Sequence, residues 1–270
     1  MPHKIQITLF LYILCTGCMA RIPMDQSQLI RFEQRSANFR LTFSTNQGQQ
    51  VAYYLPPLKN SDLPPARLAL LFPGISTQTL GWLDLIRQAT APDVGWLLID
   101  YPGRGECQGT MNPADLILNP EGAIAALSTH YKIDPLPAKI LLLGHSFGSG
   151  AVLQFAARHQ VDRIVLVAPF DTLRRAVAQK SFILSIIMPA QIDNQTLLQK
   201  ILLHSQPPEV TILHGALDTT LPVEMGRTLA GVDSSKITYF EAQNDDHVSI
   251  LTTHRELIFD SLVGAIQYQQ

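Results

Sequence analysis

The sequence predicts an α/β protein with a mostly parallel central sheet flanked by helices. Three observations predict it. Short apolar runs without polar alternation recur along the chain, and helical patterns fall between them. One run feeds directly into a Gly-x-Ser-x-Gly turn at residues 144–148. In chain order, residues 39–43 and 50–55 are β-rich and flank Asn46-Gln47-Gly48, which predicts an antiparallel hairpin. The runs at 68–72, 96–100, 140–143, 164–167, 210–213 and 237–240 read as strands buried on both faces. Helical patterns occupy 81–89, 121–131, 149–159, 224–230 and 248–267, with Asn119 as a cap ahead of Pro120. The interval 170–209 is long for a crossover. It reads either as a small lid above the sheet, with its strongly apolar stretch at 181–188, or as a crossover helix with extra turns.

Bulk properties narrow the function classes. The chain has 270 residues, 46% hydrophobic and 16% charged, enough apolar content for one large α/β domain over residues 37–270. A formal net charge of -2 and scattered Lys and Arg leave no basic track for a phosphate backbone, so nucleic acid is not an expected partner.

Residues 1–17 combine a charged start, a short apolar run and small residues, the pattern of a secretory signal. The end of that run, Thr16-Gly17-Cys18, resembles a bacterial lipobox, although Cys15 stands where Leu is usual. By that resemblance Cys18 carries the acyl chains and residues 18–36 form a tether or an early surface helix. The protein is then expected on the cell envelope, lipid-anchored on the periplasmic side of the outer membrane. Cleavage after Ala20, giving a secreted or periplasmic protein, and an uncleaved apolar anchor are the alternatives. With Cys15 removed and Cys18 lipidated, only Cys107 remains of three cysteines, so no internal disulfide is expected.

The Gly-x-Ser-x-Gly turn carries the chemistry. A strand that turns sharply into a helix exposes a serine at its apex, and Gly144 and Gly148 remove side chains that would clash there. Ser146 is the candidate nucleophile. It needs a base and an acid later in the chain, and each should follow a strand. Asp218 follows the run 210–213 and a glycine turn, and His247 follows the run 237–240. Taken singly, such an Asp is usually a turn residue and such a His usually structural; the order Ser, Asp, His gives them a joint role. Asp171 is the alternative acid, Asp245 and Asp246 read as solvated loop charges, and His254 reads as a helix-surface residue. Two backbone N–H groups should meet the developing oxyanion: Phe147, just after the serine, and Ile75, beside Gly74 in the loop after 68–72.

These residues together resemble the α/β-hydrolase superfamily, in particular its serine aminopeptidase-like or BEM46-like branch. The matching segments are LLFPG at 70–74, DYPGRGECQG at 100–109 and GHSFG at 144–148. APFDTL at 168–173, HGALD at 214–218 and DDH at 245–247 complete the set, so the likeness spans residue 68 to the C-terminus. It implies cofactor-free hydrolysis of esters, thioesters or amides, with no metal. Cys107 stands where the family often has Ser and is read as a turn filler. Three functions compete: an ester or thioester hydrolase acting on a small-molecule or acyl substrate, a peptidase, and a non-catalytic envelope lipoprotein. The apolar run 182–188 favours an acyl substrate. A peptidase would need acidic groups for a free amino terminus, and the interval offers Asp171, Asp193 and Glu209.

Overall fold

The computed structural model describes residues 21–88, 91–179 and 192–264. The signal segment, Cys18 and the apolar run 181–188 lie outside the described residues. The strands are β1 (Ile22–Pro23), β2 (Phe39–Thr45), β3 (Gly48–Leu55), β4 (Arg67–Phe72), β5 (Val94–Ile99), β6 (Arg104–Gly105), β7 (Lys139–His145), β8 (Arg163–Val167), β9 (Glu209–Gly215) and β10 (Ile237–Ala242). Eight form one sheet in the order β10-β9-β8-β7-β4-β5-β3-β2, and β1 pairs with β6. Pairing is parallel from β10 to β5, and the β2–β3 hairpin closes the edge antiparallel.

The continuous apolar runs of the central strands follow from burial on both faces. The run 237–240 departs from that expectation, because β10 is an edge strand in which only Ile237 and Ala242 are buried. In β4, Leu68, Leu70 and Phe72 enter one core cluster while Ala69 and Leu71 enter the other. Successive side chains point to opposite faces, so both positions of the period must be apolar. Helices Leu118–Tyr131, Gly148–Ala156, Asn194–Leu202 and Val223–Ala230 supply residues to the first cluster. Helices Gln26–Glu33, Leu83–Gln88 and Arg255–Val263 cover the other face. Each large aliphatic side chain so buried contributes about 1.5–3 kcal/mol.

Several local expectations give way to tertiary partners. The helix expected from Glu121 begins at Leu118, and its cap residue Ile117 makes no side-chain cap bond. Asn119 is therefore inside the first turn, where its Nδ2 donates to the Asp100 carbonyl at 2.7 Å and to Gln50 Oε1 at 3.1 Å. Those distant acceptors take the buried amide's N–H groups, so the side chain does not cap its own helix end. The pattern at 248–267 is two helices, Ile250–Thr253 and Arg255–Val263, broken at His254. Residues 21–35 are a short strand and the helix Gln26–Glu33, capped by Asp25 and anchored by buried Leu29 and Phe32. Within 170–209, helix Asn194–Leu202 buries Leu198, Ile201 and Leu202, and Asn194 Nδ2 donates to Ser149 Oγ at 3.3 Å. Cys107 is free and buried, its thiol bonded to the Val51 backbone and pushed up to about 12 by burial.

Register decides what meets at the sheet's carboxyl edge. Phe72 pairs with Gly144, His145 with Val167, and Gly215 with Ala242. The loops after β4, β7, β9 and β10 therefore leave the sheet at one edge. Gly148 is the tightest point: a Cβ there would run into the Phe72 carbonyl oxygen. Gly148→Ala should cost about 1–3 kcal/mol by forcing the helix off β4, seen as a lower urea midpoint; an unchanged midpoint would contradict this packing.

Candidate active site

The turn between β7 and helix Gly148–Ala156 holds Ser146 at φ 54°, the left-handed region that serine rarely enters. A Cβ on Gly144 would stand 2.6 Å from the Gly148 carbonyl oxygen and 2.7 Å from Val152 Cγ2. The strand and helix can approach this closely only with glycine at both positions. Neighbouring bonds hold the strained apex: Ser146 N–H donates to the Val167 carbonyl at 2.9 Å, and Ser149 Oγ donates to the Ser146 carbonyl at 2.7 Å.

The three residues expected from the sequence come together. His247 Nε2 lies 2.9 Å from Ser146 Oγ, and its Nδ1 lies 2.7 Å from Asp218 Oδ2. Two backbone bonds bring the β9 and β10 loops side by side: Ala216 N–H to the Ala242 carbonyl, and Leu217 N–H to the Asp245 carbonyl, both at 2.9 Å. Asp218 Oδ1 accepts from the Thr220 and Leu221 N–H groups at 2.8 Å each. Burial alone would raise the Asp218 carboxyl, but hydrogen bonds from His214 and His247 hold it well below the usual carboxylate range. It is therefore an anion at neutral pH.

The alternative acid is engaged elsewhere. Asp171 is buried, ion-paired with Arg175 and bonded to the Thr172 N–H. Asp245, expected as a solvated charge, is 5% exposed. Its carboxylate accepts from Ser249 Oγ at 2.9 Å and Thr253 Oγ at 2.5 Å, with His254 Nε2 at 3.0 Å. That cluster ties the His247 loop to the following helix and gives His254 a partner instead of open surface. Asp246 keeps the solvated character expected of it and bonds the Val248 and Ser249 N–H groups.

Two histidines inside recognisable motifs escaped the sequence reading. His145 is buried, and its Nε2 donates to the His247 carbonyl at 2.8 Å. His214 is fully buried against Asp218. A donor that serves a distant loop leaves no local sequence signal.

The loop after β4 passes directly beside the serine. A Cβ on Gly74 would stand 3.3 Å from His145 Nδ1 and 3.6 Å from Ser146 Cβ. Tyr101 OH donates to the Pro73 carbonyl at 2.9 Å, and Arg104 Nε donates to the Ile75 carbonyl at 3.1 Å. Arg104 is 1% exposed and sits near Asp100, whose carboxyl burial pushes up to about 7. Asp100 in turn accepts the Thr79 N–H at 2.8 Å. These bonds fix the Pro73 and Ile75 carbonyls of the loop. Phe147 opens the helix Gly148–Ala156, where the helix dipole favours negative charge. Among the described residues, no group of three or more His, Cys, Asp or Glu could hold a metal ion. No helix among them is long and apolar enough to cross a membrane.

A mostly parallel sheet, helices on both faces and a strand-serine-helix turn at its carboxyl edge define the α/β-hydrolase fold. The chain belongs to the alpha/beta hydrolase family, whose model matches residues 69–256. Among solved structures it resembles an esterase from Pyrococcus furiosus at 13% identity and TM-score 0.64, covering 84% of this chain and 92% of that one. It also resembles the esterase domain of a Rhodothermus marinus protein, at 20% identity and TM-score 0.59 over 84% and 96% of the two chains. An esterase from Exiguobacterium antarcticum matches at 15% identity and TM-score 0.59, over 84% and 99%. No curated protein matches the chain in sequence.

Burial and the neighbouring His247 pull the His145 imidazole down to about 4. The unfolded chain takes up that proton near pH 6.5. The native state takes it up only near 4, so stability drains away as pH falls between those values. His145→Gln keeps a donor in place of Nε2 but does not titrate. Its urea midpoint should fall less than that of wild type from pH 6.5 to 4; parallel curves would contradict the buried, uncharged His145.

Proposed function

We propose that this chain is a serine hydrolase that cleaves carboxylic ester or thioester bonds through an acyl-enzyme. The observation that carries the reading is the unbroken row Ser146 Oγ, His247, Asp218, with contacts of 2.9 and 2.7 Å. Ser146 attacks the substrate carbonyl as His247 Nε2 takes its proton, and Asp218 holds the tautomer and stabilises the imidazolium. The alkoxide of the tetrahedral intermediate is received by the Phe147 and Ile75 N–H groups. One such donor is worth about 2.7–4 kcal/mol in the transition state. His247 then returns the proton to the departing alcohol or thiol. In the second half it activates a water that releases the acid and restores Ser146.

The acidic groups favour an ester over an aminopeptidase substrate. Asp171 is paired with Arg175, Asp193 caps the helix Asn194–Leu202, and Glu209 is paired with Arg163. None is free to bind a substrate amino terminus. The esterases among the structural neighbours agree in fold with this choice. The lipobox-like Thr16-Gly17-Cys18 supports a place for this enzyme on the cell envelope, through a lipid on Cys18.

A fluorophosphonate probe should label wild type and leave Ser146→Ala unmodified. Hydrolysis of p-nitrophenyl esters should drop by at least about 10⁴-fold in that variant. Equal labelling of the two proteins, or faster turnover of aminoacyl-anilides than of esters, would refute the proposed reaction. For the anchor, Cys18→Ser should move the protein from the membrane to the soluble fraction; equal membrane retention would refute lipidation.

A further inference from the structure

We propose that His214 is a positioning residue for the same reaction: a second imidazole N–H on Asp218 that limits how much negative charge the carboxylate offers His247. This rests on the triad reading above. His214 lies in β9, four residues before Asp218, and its side chain is fully buried. Its Nε2 lies 2.8 Å from the Leu221 carbonyl and 3.2 Å from Asp218 Oδ2. Both neighbours are acceptors, so Nε2 carries the proton and shares it between them. The Oδ2 atom that accepts from His247 Nδ1 at 2.7 Å therefore also faces the His214 Nε2–H at 3.2 Å.

The other ring nitrogen explains why the ring cannot turn over. Nδ1 is buried and has no hydrogen-bond partner among the described residues. A proton there would be buried unsatisfied, a cost of about 1–3 kcal/mol. The space on that side comes from Gly226 in the helix Val223–Ala230: a Cβ there would stand 2.5 Å from Nδ1. The helix thus presses the ring toward Asp218 while offering it no acceptor. Helix, ring and carboxylate form a stack whose one polar outlet is the Leu221 and Asp218 side.

The consequence falls on His247. Asp218 Oδ1 already accepts two backbone N–H groups. With His214 beside Oδ2, both carboxylate oxygens face fixed donors in addition to His247. Removing the His214 donor concentrates charge on Oδ2, which favours the protonated imidazole and delays its action as a base to higher pH. The other titratable groups interacting with this cluster are His145 from β7 and Asp246 from the loop after β10.

The rate of Ser146 labelling by a fluorophosphonate, measured across pH, reads this directly and needs no known substrate. In wild type the rate rises with pH through an inflection. In His214→Phe the inflection should move up by about 0.5 to 1 pH unit, slowing labelling on the acid side by about 3- to 10-fold. His214→Gln, which places an amide N–H near the Nε2 site, should return the inflection to that of wild type. An inflection that stays or moves down in His214→Phe overturns the proposal, as does a Gln variant that moves as far as Phe. Absence of labelling in wild type refutes the triad itself, whereas normal labelling with an unmoved inflection refutes only the role of His214. Should His214→Phe not fold, nitrogen-15 imidazole spectra of the wild-type protein decide instead. The proton must be on His214 Nε2; a proton on Nδ1 overturns the proposal.

Discussion

A serine held at φ 54° between a buried strand and a buried helix leaves the backbone around it little freedom. Such a conformation costs about 1–2 kcal/mol and persists only where its surroundings over-determine it. Here they do so through shape. Gly144 meets the backbone of Gly148, Gly148 meets the Phe72 carbonyl, and Gly74 closes on His145 and Ser146. The turn thereby sets how closely the helix Gly148–Ala156 sits on the end of β4 as well as the place of the serine. The loop carrying Ile75 can stand beside Ser146 because the same contact that admits the helix also admits the loop.

The polar groups around that turn are organised by fixed donors in place of solvent. Arg104 and Tyr101 take the carbonyls of the loop after β4. His145 takes the carbonyl of His247, and Asp245 gathers Ser249, Thr253 and His254 behind the same loop. Each side chain of the Ser146–His247–Asp218 row therefore stands on backbone tied down by a buried partner. Preorganisation of this kind is what makes a hydrogen-bonded row useful in catalysis, since little has to reorder when charge develops.

The sheet was legible because its central strands, buried on both faces, cannot alternate, and their short apolar runs fall between helical patterns. Ser146, Asp218 and His247 were legible because a parallel sheet sends every strand's carboxyl end to one edge, so order along the chain becomes proximity in space. Features fixed by distant partners were not legible. Asn119 before Pro120 looks locally like a helix cap, yet its amide is drawn to Gln50 and Asp100. Asp245 looks like a surface charge because its three side-chain partners include two residues, Thr253 and His254, a full helix away. The break falls at His254, the residue paired with that carboxylate, and a helical pattern of apolar residues cannot report it. His145 and His214 sit in motifs whose glycines and acids draw the eye, while their own bonds reach another loop and a buried carboxylate.

The central claim is that Ser146 becomes covalently acylated. Acid-quenching the protein within the first turnover of p-nitrophenyl acetate and weighing it intact tests this most directly. One added acetyl group per chain, located by peptide mapping on the segment containing Ser146, is the expected result. An acetyl group on any other residue, or p-nitrophenyl acetate turnover that is undiminished in Ser146→Ala, would contradict it.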